Sequence, residues 1–355
     1  MRRGKKKNKK QNWLVSVILL VVVILAGMGV FGEEEPEDQT AIEATADENA
    51  SENTEVLDTE NSNTENESDV PETEKLQDGM VESTEVDDID STAVVDGKMA
   101  VHFLDVGQGL AIFVQCDGMN LIYDGGDKST SSEVVAYLKN MGVETIDYLI
   151  SSHYDSDHVS GLIGCLNAFD VTNVICADYV HESKTYESFI STVEEKGLEM
   201  QHPAVGTEFT FGSGKFVVLA PEEFDDDESN ANSVVIRLIH GENSFLITGD
   251  AEYSSEKAMC NSGLEIESDV LVPGHHGSAT ATSWDFLMQV VPEYAVISCG
   301  EGNSYGHPHE ETMEKLESME VQVYRTDKQG YISVVSDGKT LDWSQEPCND
   351  YSSGD

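Results

Sequence analysis

Short apolar runs rich in Val, Ile, Leu and aromatic residues recur from Met99 onward, and one after another they close on Asp, His or Gly. Val101-His102-Phe103-Leu104, Ala111-Ile112-Phe113-Val114 and Asn120-Leu121-Ile122-Tyr123 are separated by turn residues, which predicts three successive strands in a meander. Over residues 133–141 the apolar spacing becomes helical. Tyr148-Leu149-Ile150-Ser151-Ser152 then reads as a strand, and Leu162, Ile163 and Leu166 predict a helix after it. Val234 to Ile239 and Phe245 to Thr248 flank Gly241-Glu242-Asn243 as a hairpin, with a helix starting near Glu252. Asp269 to Val272 and Tyr294 to Ser298 add two further strands.

Before Met99 the pattern is different. Trp13 to Phe31 is an uncharged apolar run of nineteen residues, about 28 Å as a helix and long enough to span a bilayer. Its flank at 1–12 is basic and acid-free, which predicts that this side stays in the cytoplasm and the rest of the chain lies outside. A single-pass anchor at 13–31 is the expectation, with a secreted protein after cleavage as the alternative. Residues 32–97 are dominated by Glu, Asp, Thr, Ser and Asn and contain stretches with no apolar residue, so they predict a disordered, self-repelling linker. A globular domain is expected over 98–343 and a disordered tail over 344–355.

The net charge of −48 makes the whole chain acidic. About two dozen of the acids fall in the linker, and the globular part is still strongly acidic, with about a dozen Lys and Arg scattered through it. The six cysteines sit in core-like contexts such as Val174-Ile175-Cys176-Ala177, and no pair has metal-finger spacing, so buried thiols are expected.

The chemistry concentrates where apolar runs end. His153-Tyr154-Asp155-Ser156-Asp157-His158 brings four metal-capable side chains together directly after a strand. Imidazole and carboxylate suit a divalent ion that acts as a Lewis acid and lowers the pKa of water. Gly249-Asp250, His275-His276 and His307-Pro308-His309 follow three more predicted strands, so four strand ends deliver candidate ligands. Asn, Ser or Gly would serve a turn equally well, so this repetition points to a metal centre.

Together with Phe103-Leu104-Asp105-Val106-Gly107-Gln108-Gly109, Asp124-Gly125-Gly126, His276-Gly277-Ser278 and Arg325-Thr326-Asp327, these motifs resemble the metallo-β-lactamase fold superfamily. Within it the chain resembles the ComEC-type competence hydrolase domains, which share Asp155 at the third position of the cluster. The resemblance covers about Met99 to Trp343. It implies an α/β fold, a four-layer αββα sandwich with two divalent ions, Zn²⁺ or Mn²⁺, at one edge of the sheets. Carried onto this chain, His153 and Asp155 hold the first ion, Asp157 and His158 the second, and Asp250 bridges them. His275, His276 or His307 completes the set, the remainder serving as proton donors, with Asp157 also in the reacting centre and Asp124 orienting ligands from behind. The chain departs from the family in four places: Asn230, Asn232 and Ser233 stand near an expected His, Leu110 where Asp is usual, Val272-Pro273-Gly274 lacks a Lys, and Ser160 replaces a glycine.

Three functions follow as expectations. The first is a membrane-tethered extracellular phosphodiesterase with nucleic acid as leading substrate. The second is hydrolysis of another envelope or small-molecule ester, amide or phosphodiester, which an acidic surface tolerates better. The third is a non-catalytic binding domain of a surface assembly. The membrane is the expected partner through the N-terminal helix, and nothing in the sequence points to a protein partner.

Overall fold

The computed structural model describes residues 96–224 and 228–354. The expected cytoplasmic flank, the anchor at 13–31 and all but the end of the 32–97 linker lie outside the described residues. Among the described residues no helix is long and apolar enough to cross a membrane.

The three-strand meander forms as β1 (Met99–Phe103), β2 (Ile112–Cys116) and β3 (Met119–Tyr123), each antiparallel to the next. Then the chain alternates. α1 (Ser131–Asn140), β4 (Thr145–Ile150), α2 (Ser156–Ala168), β5 (Asp170–Ile175), α3 (Lys184–Glu195) and β6 (Met200–Gln201) follow, and β3 to β6 pair in parallel. In a parallel run every strand ends at the same sheet edge, and every following helix begins there. That edge receives the loops after Tyr123, Ile150 and Ile175.

The second half builds β7 (Glu208–Phe211), β8 (Gly214–Ala220), β9 (Val235–His240) and β10 (Asn243–Ile247) as antiparallel neighbours. The predicted hairpin thus closes on Asn243 opposite His240. After α4 (Tyr253–Asn261), β11 (Val270–Val272), α5 (Trp284–Val290), β12 (Tyr294–Ile297), α6 (Glu310–Ser318), β13 (Gln322–Arg325) and α7 (Thr326–Gln329), the strands β10 to β13 are again parallel. β14 (Ile332–Ser336) and β15 (Leu341–Trp343) return to the first sheet beside β1.

Two sheets result, one of eight strands ordered β15-β14-β1-β2-β3-β4-β5-β6 and one of seven ordered β13-β12-β11-β10-β9-β8-β7. The core runs through strands of both: Val101, Phe113, Leu121 and Leu149 of the first, with Phe216, Ile236, Phe245 and Val272 of the second, are buried in one apolar cluster. All six cysteines are free thiols, four of them fully buried, as their contexts predicted.

The expected disordered tail is corrected. Asn349 pairs with Val323 in both directions, the Tyr351 hydroxyl donates to the Val321 carbonyl at 2.7 Å, and Gly354 donates to Pro308 at 2.9 Å. The anchor is Arg325, fully buried and bidentate to Asp327 at 2.9 and 2.7 Å, whose remaining amine donates to the Asp350 and Ser352 carbonyls. A buried guanidinium needs all its donors satisfied, and the tail supplies the acceptors.

Candidate metal centre

Each of the four predicted strand ends reaches the same place. β4 delivers the His153 to His158 cluster, which passes directly into α2, so that Asp157 and His158 occupy its first turn. Asp155 is the N-cap residue with extended backbone, yet its side chain makes no capping bond. The carboxylate that would ordinarily cap the helix is instead held by Ser229 at 2.8 Å and lies 3.6 Å from His153 Nε2. β10 brings Asp250, and β11 brings His275 and His276, both in the left-handed backbone region with φ of 50° and 56°. Such geometry costs a non-glycine residue about 1–2 kcal/mol, which the surrounding structure must offset to aim both rings.

The ligand atoms fall into two groups, each within 4.8 Å: His153, His158 and Asp250, and Asp157, His158 and His276. His158 belongs to both. Its Nε2 lies 3.2 Å from Asp250 Oδ1 and 3.2 Å from His276 Nε2, while His276 Nε2 is 3.4 Å from Asp157 and 3.6 Å from Asp250.

Hydrogen bonding behind the rings fixes which nitrogens face inward. Asp124, fully buried, accepts from the Ser152 amide and hydroxyl, each at 2.7 Å, and from His158 Nδ1 at 2.8 Å. The single Ser152 hydroxyl proton is thereby committed, so Ser152 Oγ accepts from His153 Nδ1 at 2.9 Å. His276 Nδ1 donates to the Ser298 carbonyl at 2.9 Å. All three rings thus turn unprotonated Nε2 atoms toward one another when neutral, the orientation that outer-shell partners impose on metal-ligating histidines.

Residues at the centre fit a divalent ion. His153 Nε2 and Asp250 Oδ1 are buried without any hydrogen-bond partner, a costly condition that a cation would relieve. The His158 and His276 lone pairs at 3.2 Å repel unless a cation or a proton lies between them. Burial opposes charge on His158, but Asp250, Asp124 and Asp157 carry its pKa well above the ordinary imidazole value. Burial likewise raises Asp250, and His158, His276 and His153 overcome it and hold the carboxyl well below its usual range. This centre demands positive charge, supplied by protons when no metal is bound.

The other predicted residues stand around this core. His275 is part-exposed, with Nδ1 2.9 Å from Glu252 Oε1 and Nε2 3.9 Å from Asp250. Burial lowers its pKa, and Glu252 and Asp250 raise it more, leaving it above the ordinary value. His307 joins neither ligand group. Its ring packs near His275 and His276, with centroids 5.1 and 6.0 Å away, and its Nδ1 lies 3.4 Å from the Gln108 amide. Burial and the two neighbouring imidazoles lower its pKa to about 4.

The segment Asn230 to Asn232, where the resemblance leads one to expect His, is a short 3-10 turn. Asn230 donates to Glu252 at 3.1 Å, and the preceding Ser229 holds Asp155. Sequence reasoning missed His181. It lies in the loop after β5, with Nε2 3.4 Å from Asp155 Oδ1, so this carboxylate stands between His153 and His181. Tyr154 anchors that loop by donating to the Ala177 carbonyl at 2.6 Å, and the Tyr179 hydroxyl meets both the Tyr154 amide and Ser229. The rule that found the other candidates, a polar residue after a strand, also covers His181, but β5 alternates exposed and half-buried positions over its first four residues and is buried only at Val174 and Ile175, so its apolar signal is weak.

Residues 104–301, more than half of the chain, match the sequence profile of the metallo-beta-lactamase superfamily. The chain belongs to that superfamily. Among curated proteins it is similar to ComE operon protein 3 of Bacillus subtilis (strain 168), 33% identical over 65% of this chain and 32% of that protein. It is also 33% identical to the competence protein ComA of Neisseria gonorrhoeae, over 68% of this chain and 33% of the relative. The chain thus spans about a third of the length of these relatives. Among solved structures it is similar to the metallo-beta-lactamase fold protein YhfI from Bacillus subtilis, at 13% identity and a TM-score of 0.43, covering 64% of this chain and 95% of that one. Members of this superfamily are generally metal-dependent hydrolases.

Proposed function

We propose that this protein is a two-metal phosphodiesterase held at the outer face of the cell membrane by an anchor at 13–31, with nucleic acid as its leading substrate. The observation that carries the reading is the pair of overlapping ligand groups sharing His158, with partnerless lone pairs at their centre. In this reading the helices cover the outer faces of the two sheets in the four-layer order αββα. His153 and Asp250, with Asp155 on the open side, would hold one ion, and Asp157, His158 and His276 would hold the other, with Asp250 in reach of both groups. Zn²⁺ and Mn²⁺ both suit such a mixed nitrogen and oxygen set. Bound there, a pair of divalent ions supplies Lewis acidity toward a phosphoryl group and a nucleophile from water near neutral pH.

The chain's own residues do the remaining work. Asp124 and the Ser298 carbonyl keep His158 and His276 in the ligating tautomer. His275, held by Glu252 and part-exposed, carries a proton within reach of a leaving oxygen and gives it up as the bond breaks. His307, neutral at physiological pH, lines the wall beside it. Support for a nucleic-acid substrate comes from the relative named competence protein ComA. The acidic surface favours a second reading, a compact envelope or small-molecule ester.

The full-length protein supplemented with Mn²⁺ or Zn²⁺ is expected to hydrolyse bis(p-nitrophenyl) phosphate and then single-stranded DNA. A flat trace with metal demonstrably bound would remove the phosphodiesterase reading. Turnover of the small diester without cleavage of DNA favours the second. Unchanged metal content in Asp157→Ala would put the metal elsewhere.

A further inference from the structure

From Asp96 to Asp355 the chain carries 45 acidic residues against 12 Lys and Arg. A polyanionic substrate approaching such a domain meets repulsion almost everywhere. One groove differs. A cavity of about 640 Å³ lies between α1, α2 and α3, and no carboxylate lines it. Lys128 and Lys184 do, accompanied by Ser131, Ser160, Thr185 and Asn167, over a short apolar floor of Val135 and Ile163. Two of the nearest acids are turned elsewhere. Asp127 accepts from the Ser129 amide and hydroxyl, both at 3.0 Å, and Glu133, exposed on α1 and near enough to Tyr331 to raise its pKa, does not line the groove. The third, Glu187, is exposed on α3 and does not line the groove.

Topology connects this groove to the metal centre. Because β3, β4 and β5 are parallel, α1, α2 and α3 all begin at the sheet edge where Asp124, His153 and His158 sit. Lys128 is four residues after Asp124, and Lys184 opens α3, so one lysine lies at each side of α2 at that edge. The groove then follows the outer face of α2 from Ser160 to Asn167, about 10 Å of helix, room for about two consecutive phosphates of an extended single strand. No aromatic ring lines it, so it offers charge and hydroxyl donors to a backbone and nothing for bases to stack on.

We propose that the Lys128 and Lys184 groove over α2 binds the phosphate backbone of single-stranded nucleic acid, independently of sequence, and leads it to the metal-bearing edge. The proposal deepens the phosphodiesterase reading and rests on it for the direction of travel. Contacts made there anchor the chain through phosphates remote from the one being cut, so they lower KM for long substrates and leave a small diester untouched.

The test uses the full 355-residue protein, 20-nucleotide oligothymidylate as probe in fluorescence anisotropy, and bis(p-nitrophenyl) phosphate as the small diester. The Lys128→Glu/Lys184→Glu protein is expected to bind the oligonucleotide at least about tenfold more weakly. The slope of log affinity against log salt should flatten by about 1.4, the value for two phosphate contacts on a single strand. KM for the oligonucleotide should rise with kcat on the small diester unchanged. A matched reversal at the exposed Lys139 and Lys257 should change these values less than twofold.

Equal loss in the two double variants, or no loss in the first, overturns the groove. Preference for poly(glycerol phosphate) over oligothymidylate overturns nucleic acid as its occupant. Oligonucleotide binding that depends on the two lysines in a protein that hydrolyses neither substrate supports the groove and refutes the hydrolase reading instead.

Discussion

Asp124→Asn tests the logic of the centre most directly, because it alters one charge behind the ligands and replaces none of them. Asp124 sits at φ +55°, a conformation that Asn adopts readily, so the backbone has no reason to move. The amide oxygen can still accept from the Ser152 amide, but the new NH₂ then points at Ser152 Oγ and His158 Nδ1, where Oδ2 accepted at 2.7 and 2.8 Å. To avoid two donors meeting, His158 must shift its proton from Nδ1 to Nε2, the atom 3.2 Å from both Asp250 and His276. The lone pair shared by both ligand groups disappears. Loss of an outer-shell partner typically weakens metal affinity 10–100-fold, about 1.4–2.7 kcal/mol, and here the ion held by Asp157, His158 and His276 should weaken. Metal titration by calorimetry, with stoichiometry by mass spectrometry and a circular-dichroism melt as control for folding, reads this directly. Unchanged affinity for the ion at Asp157 and His276 in a folded Asp124→Asn protein would refute the assignment of His158 Nε2 as its ligand.

Further outcomes follow from other parts of the molecule. His181→Ala removes the ring facing Asp155 and should weaken one ion several-fold while leaving the ion at Asp157 and His276 in place, visible as biphasic metal release in a chelator titration; equal loss of both would count against it. His102 is buried, with Nε2 unpartnered and its pKa lowered by burial to about 4. The folded state holds it neutral while the unfolded chain takes a proton near pH 6.5, so its contribution is full above about pH 6.5 and declines as the pH falls toward 4. At pH 5 the loss is about 2 kcal/mol; urea unfolding of His102→Leu should show a correspondingly smaller drop between pH 7.5 and 5 than the parent protein. Arg325→Ala leaves the buried Asp327 carboxylate with only the Lys328 ammonium, 3.7 Å away, and removes the donor to the Asp350 and Ser352 carbonyls, and should cost about 3 kcal/mol, measured by urea unfolding; a cost below about 1 kcal/mol would show that the tail clasp contributes little.

Much of this protein is legible in one dimension. The hydrophobic runs fixed the strands that matter, because a strand buried between sheet and helices must be continuously apolar, and the polar residue closing each run marks the sheet edge. That is why His153, Asp155, Asp157, His158, Asp250, His275, His276 and His307 could be nominated from the sequence, while the place of Asp124 behind them came from the family resemblance. The weaker signals were local ones. β5 has a weak apolar signal and hides His181, and the final residues look polar and unstructured although a buried arginine and the bonds of Asn349, Tyr351 and Gly354 hold them.

What the sequence could not decide is which lone pairs converge. Residues 155, 157 and 158 are neighbours along the chain, yet the turn into α2 sends Asp155 outward to Ser229 and His181, Asp157 toward His276, and His158 to the centre. The choice among His275, His276 and His307 has the same origin, resting on two consecutive left-handed residues and on the carbonyl of Ser298 from another strand. The same is true of charge. Composition gives one acidic number for the chain, while only the parallel packing of three strands brings Lys128 and Lys184 to the two sides of one helix. Periodicity and chemistry belong to the sequence because they are set residue by residue; distance between residues far apart in the chain belongs to the tertiary structure, and ligand sets and electrostatic tracks are made of distances.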